Sequence, residues 1–167
     1  KSILQICEAI EDLHTKHGVI HCDIKPSNLL WFDDGDHPIK IADFGNSKSR
    51  EESGNDDFPR GTLGYMAPEC FDGENTIETD VYALGCTLFE LITGESAFHI
   101  SVAVSDDKAA YRALHTTAAR PNAKRGAWDY VSLDLANAIQ EMMSVSCLDR
   151  PMLCKVIEVI KTEIERN

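Results

Sequence analysis

The sequence has 167 residues, a length typical of one domain, and its 43% apolar residues are enough to form a buried core. Asp and Glu outnumber Lys and Arg by 28 to 16, and the resulting net charge of −12 argues against nucleic acid or an anionic membrane as a partner. No stretch reaches the roughly 18 apolar residues of a membrane-spanning helix, and the six cysteines form no C-x-x-C pair. We therefore expect free thiols in an intracellular protein, either cytoplasmic or nuclear.

The first predicted element is an amphipathic helix over about 2–16, with Gly18 near its C-terminal end. Its apolar residues recur at helical spacing: Ile3, Ile6, Cys7, Ile10 and Leu13. Two short apolar runs, NLLWF and PIKIA, then flank the turn-forming segment DDGDH and predict a β-hairpin. The polar residues 47–60 show no periodicity and predict a mobile loop.

The second half of the sequence predicts helices. The run DVYALGCTLFELIT at 80–93 is apolar nearly all round and ends at Gly94, which predicts a helix buried on every side at the centre of the core. SDDKAAYRALHTTAAR has helical character, whereas NAKRGAW is typical of a loop. Helical patterns follow over 133–143 and 153–164, with Pro151 predicted at a first helical position. The expected fold class is mainly α.

Two polar strings lie on either side of the predicted hairpin, HCDIKPSN at 21–28 and IADFG at 41–45. An isolated Asp in a loop is usually a turn or cap residue. The acidic turn DDGDH between the strings lacks the spacing of an EF-hand calcium loop and predicts a solvated turn.

A third string, APE, follows at 67–69. In this order the three strings resemble the catalytic loop, the metal-binding loop and the end of the activation segment of eukaryotic protein kinases. The usual strings of that family are H-R-D-x-K-x-x-N, D-F-G and A-P-E. The run that begins at Asp80 is similar to the family's central buried helix, and Arg150-Pro151 is similar to its late RP element. The resemblance implies a protein-kinase-like C-lobe over 1–167: a helical bundle around a central buried helix, with one small hairpin that carries the catalytic loop 21–28 and the metal loop. The activation segment would be 43–69.

The resemblance assigns chemistry to the polar residues. Asp23 would accept a hydrogen bond, and then the proton, from a substrate hydroxyl, while Lys25 would present its ammonium group to the transferring phosphate. Asn28 and Asp43 offer the hard oxygen ligands that suit Mg²⁺, and with Lys25 they would bind the cofactors ATP and Mg²⁺. Asn28 precedes one predicted strand and Asp43 follows its partner, so the hairpin should bring both to the same end.

The same resemblance implies the substrate class. A lysine two residues after the aspartate, combined with a GT-x-x-Y-x-APE segment, is similar to serine/threonine kinases and not to tyrosine kinases. Thr62 would contact the Asp23–Lys25 pair, and Tyr65 would line the peptide groove. The implied function is transfer of the ATP γ-phosphate to Ser or Thr hydroxyls of protein substrates.

Four further residues are predicted to hold the structure together. His21 is expected to pack and hydrogen-bond beneath its loop. The resemblance implies that Glu69 and Arg150 form a buried ion pair that ties the end of the activation segment to the late helices. Asp80 should lie at the start of the central helix and accept backbone N–H groups of residues 21–23.

The sequence departs from the family pattern in two ways. Cys22 stands where most of the family has an arginine that pairs with a phosphate on the activation loop, and a thiol cannot replace a guanidinium. Phosphorylation of the loop is therefore not expected to control this chain. A reactive role for Cys22 would need a lowered pKa, and Lys25 is the one basic residue nearby in sequence that could lower it. No G-x-G-x-x-G or V-A-I-K string occurs.

The second departure leads to an expectation about the chain itself. It is predicted to be the C-lobe alone, nearly inactive by itself, with the ATP-gripping N-terminal lobe supplied in cis. The alternative from another functional class is a pseudokinase or kinase-derived module that binds proteins without catalysis.

Overall fold

The computed structural model describes residues 1–32, 38–52, 54–55, 59–98, 107–121 and 131–166. Within these ranges the fold is mainly α, with short antiparallel strand pairs β1–β4, β2–β3 and β5–β6. The helices are α1 (Ser2–Lys16), α2 (Ile77–Thr93), α3 (Lys108–Thr117), α4 (Leu133–Met142) and α5 (Leu153–Arg166). The strands are β1 (Val19–Ile20), β2 (Leu29–Trp31), β3 (Ile39–Ile41), β4 (Lys48–Ser49), β5 (Gly54–Asn55) and β6 (Glu74–Asn75).

Helix α1 forms where the sequence predicts it. Ile6, Cys7 and Ile10 are fully buried, because their spacing places them on one face, and this helix packs against α5. The helix ends at Lys16, and Gly18 follows with a φ of +61°, a left-handed conformation that glycine adopts without steric cost. This glycine turns the chain into β1.

Helix α2 is the predicted central helix, and its residues from Thr79 to Phe89 are all buried. It begins at Ile77, three residues before the predicted start, because Thr76 and Thr79 form a capping box that satisfies the first N–H groups. A Cβ atom at Gly85 would lie 2.8 Å from Met142 Cβ, so α4 lies directly against the α2 backbone. The prediction of a mainly α fold around a buried helix is confirmed.

The predicted hairpin is present. Strands β2 and β3 pair antiparallel with Leu29 opposite Ile41 and Trp31 opposite Ile39. The turn at 33–37, which includes Asp33, Asp34 and Asp36, lies outside the described residues. The backbone N–H of Ala42 donates to the Asn28 carbonyl at 2.9 Å, which joins the two chain segments at the open end of the hairpin.

The segment 47–60, predicted as a mobile loop, contains a short strand in its first part. Lys48 and Ser49 form β4 and pair with Ile20 and Val19, and Arg50 N–H donates to the Gly18 carbonyl at 2.7 Å. These two-residue strands are too short to show an alternating pattern, and their partners lie about 30 residues away in sequence, so local composition gives no sign of them.

The later helices agree with the sequence except at one boundary. Helix α3 confirms the helical character of that segment, and the carboxylate of Asp107 caps it by accepting from Ala109 N at 2.9 Å. NAKRGAW lies outside the described residues. Helix α5 begins at Leu153, so the placement of Pro151 at a first helical position is wrong. Arg150 is extended, as expected for the residue before a proline.

The six cysteines are free, as predicted, and four of them are buried: Cys7, Cys22, Cys70 and Cys86. In the part of the chain that the structure describes, no helix has both the length and the apolar character needed to cross a membrane.

A buried histidine connects α3 to the core. His115 is fully buried; its Nδ1 lies 2.7 Å from the Tyr82 hydroxyl and its Nε2 lies 2.9 Å from the Leu63 carbonyl oxygen. Burial lowers the pKa of His115 to about 4, with the nearby Arg120 charge as a smaller cause. Both ring nitrogens have partners that suit a neutral imidazole.

This pKa predicts a pH dependence of stability. Between about pH 6.5 and pH 4, His115 is protonated in the unfolded chain but stays neutral in the folded chain. The free energy of unfolding should therefore fall by up to about 3 kcal/mol as the pH drops across that window. Urea unfolding at several pH values measures this slope. His115→Phe should be less stable at pH 7 and show a shallower slope than the unsubstituted chain; an unchanged slope would contradict the prediction.

Candidate active site

The loop 21–28 is held in place by a buried carboxylate. Asp80, only 1% exposed, accepts the N–H of His21 at 2.7 Å and the N–H of Cys22 at 2.9 Å. This contact was predicted from the sequence, although Asp80 is the fourth residue of α2 rather than its first. A third donor was not predicted: His14 Nε2 lies 2.8 Å from Asp80 Oδ2. The only sequence signal for His14 was its place on the buried face of α1, four residues after Ile10.

His21 links the two polar strings. Its side chain is fully buried, Nε2 lies 3.0 Å from the Ala42 carbonyl oxygen, and Nδ1 accepts the Asp23 N–H at 3.3 Å. The carbonyl requires a hydrogen on Nε2, which fixes the tautomer of a neutral ring. The ring also contacts Phe44, with centroids 4.9 Å apart. This placement beneath the loop agrees with the structural role expected for it.

Asp23, Lys25 and Thr62 form a closed triangle of hydrogen bonds. Lys25 Nζ donates to Asp23 Oδ2 at 2.8 Å and to Thr62 Oγ1 at 2.7 Å, and Thr62 Oγ1 donates to Asp23 Oδ1 at 2.7 Å. Burial raises the pKa of the Asp23 carboxyl, but the hydrogen bonds from Lys25 and Thr62 outweigh burial, so this pKa lies below its ordinary value. The structure therefore presents an ionised carboxylate beside an ammonium group.

Asn28 and Asp43 supply oxygen atoms at the same end of the hairpin. The Asn28 amide nitrogen donates to the Asp23 carbonyl at 2.8 Å, which leaves the amide oxygen as the atom suited to a cation. Asp43 is exposed and adopts a left-handed φ of +64°, and within the described part of the chain its carboxylate accepts a long hydrogen bond of 3.4 Å from Gly45 N. A left-handed conformation is strained in a residue other than glycine and is frequent at functional sites.

These two residues fit a Mg²⁺ ion. Magnesium is usually held by one or two protein oxygen ligands and completes its shell with water and substrate phosphates. Among the described residues no group of three or more His, Cys, Asp or Glu side chains could hold a metal by itself. The donor set thus suits a cation that arrives with a phosphate ligand.

The segment 61–67 packs closely against this loop. Gly61 has a φ of +104°, and a Cβ atom there would lie 2.6 Å from the Cys22 carbonyl oxygen, so only glycine fits. Tyr65 donates to Glu90 Oε2 at 2.6 Å, which fixes the segment to α2; burial and this bond raise the Tyr65 pKa. Glu90 was not predicted from the sequence, because it lies 25 residues from its partner at the end of an apolar helix.

Cys22 has the properties of a structural thiol. It is buried, and burial raises its pKa to about 12, with the Asp80 carboxylate as the next cause. At neutral pH it is therefore protonated and a poor nucleophile. A reactive role for this cysteine gains no support from the structure.

The predicted ion pair between Glu69 and Arg150 is confirmed. Arg150 Nη2 donates to Glu69 Oε2 at 2.8 Å, and Nη1 donates to Oε1, so the contact is bidentate. The Arg150 side chain is fully buried, and it also donates to the carbonyl oxygens of Ser144 at 3.0 Å and Glu78 at 2.9 Å. Its guanidinium carbon lies 4.9 Å from the centre of the Tyr82 ring.

Comparison with known families is consistent with this geometry. The family model described as the protein kinase domain matches residues 1–160 of the 167. The chain belongs to the protein kinase family. The matched residues include the strings HCDIKPSN, IADFG and APE, and also Thr62.

The chain is similar to several serine/threonine kinases. It is 44% identical over 91 residues to mitogen-activated protein kinase kinase kinase 18 of Arabidopsis thaliana, covering 54% of this chain and 26% of that protein. It is 37% identical over 101 residues to the serine/threonine-protein kinase PknB of Mycolicibacterium smegmatis, covering 58% and 16%. It is 43% identical over 94 residues to the serine/threonine-protein kinase RUNKEL of Arabidopsis thaliana, covering 54% and 7%. The chain thus spans about a quarter or less of each of these relatives.

Proposed function

We propose that this kinase chain transfers the γ-phosphate of ATP to Ser or Thr hydroxyls of protein substrates, acting with an ATP-gripping lobe in cis. The observation that carries the proposal is the Asp23–Lys25–Thr62 triangle, which holds a carboxylate and an ammonium group 2.8 Å apart. The names of the similar serine/threonine kinases support the substrate class.

Asp23 orients the attacking hydroxyl. Phosphoryl transfer asks the protein for alignment and charge neutralisation more than for covalent chemistry. An ionised carboxylate accepts the hydrogen of the substrate hydroxyl and takes its proton as the new O–P bond forms. Lys25 and, at 3.4 Å, the Asn28 amide donate to Oδ2 of Asp23, and Thr62 donates to Oδ1, so the side chain cannot rotate freely. A lone pair of Oδ1 remains for the substrate.

Lys25 has two tasks in this proposal. Its ammonium group fixes Asp23, and it neutralises negative charge on the phosphoryl group during transfer. Thr62 belongs to the segment that receives the peptide, so its bond to Asp23 couples substrate binding to alignment of the carboxylate. Tyr65 lines the same groove.

Asn28 and Asp43 would hold Mg²⁺ through their oxygen atoms. Bound Mg²⁺–ATP supplies the phosphoryl group and offsets its charge. The chain's own contribution is positional, because the Asn28 amide is fixed by the Asp23 carbonyl, and the bond from Ala42 to the Asn28 carbonyl keeps the loop before Asp43 in register. In this proposal residues 1–167 are a kinase C-lobe, with catalytic loop 21–28 and activation segment 43–69.

The need for a second lobe gives a direct test. The 167 residues alone should show no measurable turnover and at most weak Mg²⁺–ATP binding, because nucleotide would contact one wall of its cleft only. A longer polypeptide, in which the lobe with the glycine-rich loop and the V-A-I-K-like lysine precedes Lys1, should phosphorylate protein substrates. Radiolabelled phosphate transfer to a degenerate serine peptide library measures both.

The matched control is Asp23→Asn in each polypeptide. Steady transfer by the 167 residues alone, abolished by Asp23→Asn, would show that no second lobe is needed. Stable binding of a protein partner without transfer by either polypeptide would favour the alternative function, a pseudokinase that acts as a binding module.

A further inference from the structure

His115 contacts the proposed peptide groove from outside the kinase strings. It lies on α3, and its Nε2 is 2.9 Å from the carbonyl oxygen of Leu63, 52 residues earlier in sequence. The side chain is fully buried, although most of α3 around it is exposed. A buried polar group on an otherwise solvated helix requires partners, and this one has two.

The second partner completes the hydrogen bonding of the buried ring. The Tyr82 hydroxyl lies 2.7 Å from His115 Nδ1. A carbonyl can only accept, so Nε2 must donate to Leu63, and Nδ1 of the neutral ring then accepts from the tyrosine O–H. Burial raises the pKa of Tyr82, which keeps that hydroxyl protonated and able to donate. The Leu63 carbonyl therefore sets the histidine tautomer, and the Tyr82 hydroxyl completes the hydrogen bonding of the ring by donating to Nδ1.

Leu63 is placed where a small movement would matter. The preceding residue, Thr62, donates to Asp23 Oδ1 at 2.7 Å, and Tyr65 N–H donates back to the Thr62 carbonyl at 2.9 Å. The carbonyl that His115 holds is thus one residue from the contact with Asp23, and lies within the turn 62–65. Release of this carbonyl would let the turn move relative to the carboxylate.

Tyr82 also supports the far end of the same segment. Arg150, which pairs with Glu69, lies over the Tyr82 ring at 4.9 Å. One buried side chain of α2 therefore contacts the two groups that hold residues 63 and 69. The segment between them is anchored at both ends to a common support.

We propose that His115 is a positioning residue for the protein substrate: through its bond to the Leu63 carbonyl it sets the shape of the peptide groove beside Asp23. This inference rests on the proposed kinase function. It predicts that loss of the bond weakens peptide binding and leaves nucleotide binding nearly unchanged, because Asn28 and Asp43 make no hydrogen bond to this segment among the contacts of the described residues.

The test compares four variants in the longer polypeptide that contains both lobes. His115→Phe keeps a planar ring but lacks the donor, and should raise the KM for the serine peptide library about tenfold, with the KM for ATP and kcat within about twofold. His115→Gln restores an N–H near the Nε2 position and should recover peptide KM to within about threefold of the unsubstituted kinase. Tyr82→Phe removes the hydroxyl that donates to Nδ1, and should change peptide KM in the same direction by less. Thr116→Ala, at an exposed neighbour on α3, should change nothing.

Hydrogen exchange of the same proteins gives a readout that needs no activity. His115→Phe should accelerate exchange of amides in residues 60–66, with exchange in α1 unchanged. A purely structural role would lower kcat through a smaller folded fraction and leave peptide KM unaltered, which would overturn the proposal. Unchanged exchange over 60–66 would also overturn it. If the unsubstituted polypeptide transfers no phosphate while exchange responds as expected, the proposed kinase function and the substrate role of His115 are both wrong. The hydrogen bond from His115 to Leu63 would then hold the segment 60–66 without a role in substrate binding.

Discussion

Replacement of Arg150 by alanine is expected to lower the free energy of unfolding by about 3 to 5 kcal/mol, because it leaves a partly buried carboxylate without its partner. The side chain of Arg150 is fully buried and that of Glu69 is 16% exposed. The guanidinium also satisfies three backbone carbonyl oxygens, those of Ser144, Val145 and Glu78. Truncation therefore strands several acceptors together, which places this substitution among the most damaging single changes.

Urea denaturation at neutral pH measures the effect, and the chain offers a matched control. Arg112 pairs with Asp72 on the surface, where both side chains are about half exposed. Arg112→Ala should cost under about 1 kcal/mol, because water and salt screen the pair. Asp57→Ala, in the polar segment outside the described residues, should stay within about 0.5 kcal/mol. Equal losses for Arg150→Ala and Arg112→Ala would contradict the importance assigned to the buried pair.

Asp23→Asn should reduce kcat in the two-lobed polypeptide by about 10² to 10⁴-fold, the range expected when a general base is removed. The amide has nearly the same shape, but it cannot take a proton, and its NH₂ group would face one of the donors Lys25 or Thr62. Steady-state transfer to the serine peptide library measures kcat.

Asp72→Asn is the matched surface control and should keep kcat within about twofold, because Asp72 is exposed and its partner is Arg112. A kcat for Asp23→Asn within tenfold of the unsubstituted kinase would remove Asp23 from the reaction. In that case the hydrogen-bonded triangle would be a structural device that joins the loop 21–28 to Thr62.

The sequence predicts the elements that depend on the spacing of neighbouring residues. Helix α1 and the β2–β3 hairpin follow from apolar spacing and turn residues, and the structure confirms both. The structure also contains two predicted contacts, that of Asp80 with the backbone of 21–22 and that of Glu69 with Arg150. These contacts could be predicted because the family resemblance supplied partners that periodicity could not.

Contacts of distant polar residues that the family resemblance did not supply could not be predicted. His115, His14 and Glu90 occupy helices whose patterns indicate only which face is apolar, and nothing local specifies a partner 25 to 66 residues away. The early start of α2 was missed for a related reason. Thr76 and Thr79 begin the helix by side-chain capping, whereas the prediction followed apolar residues alone.

The central claim is that this chain aligns Ser or Thr hydroxyls for phosphoryl transfer through Asp23. The most direct measurement is phosphoamino-acid analysis of protein labelled by the two-lobed polypeptide with γ-labelled ATP and Mg²⁺, beside its Asp23→Asn variant. We predict phosphoserine and phosphothreonine from the unsubstituted kinase and almost no label from the variant. Phosphotyrosine as the sole product, or equal labelling by Asp23→Asn, would contradict the account.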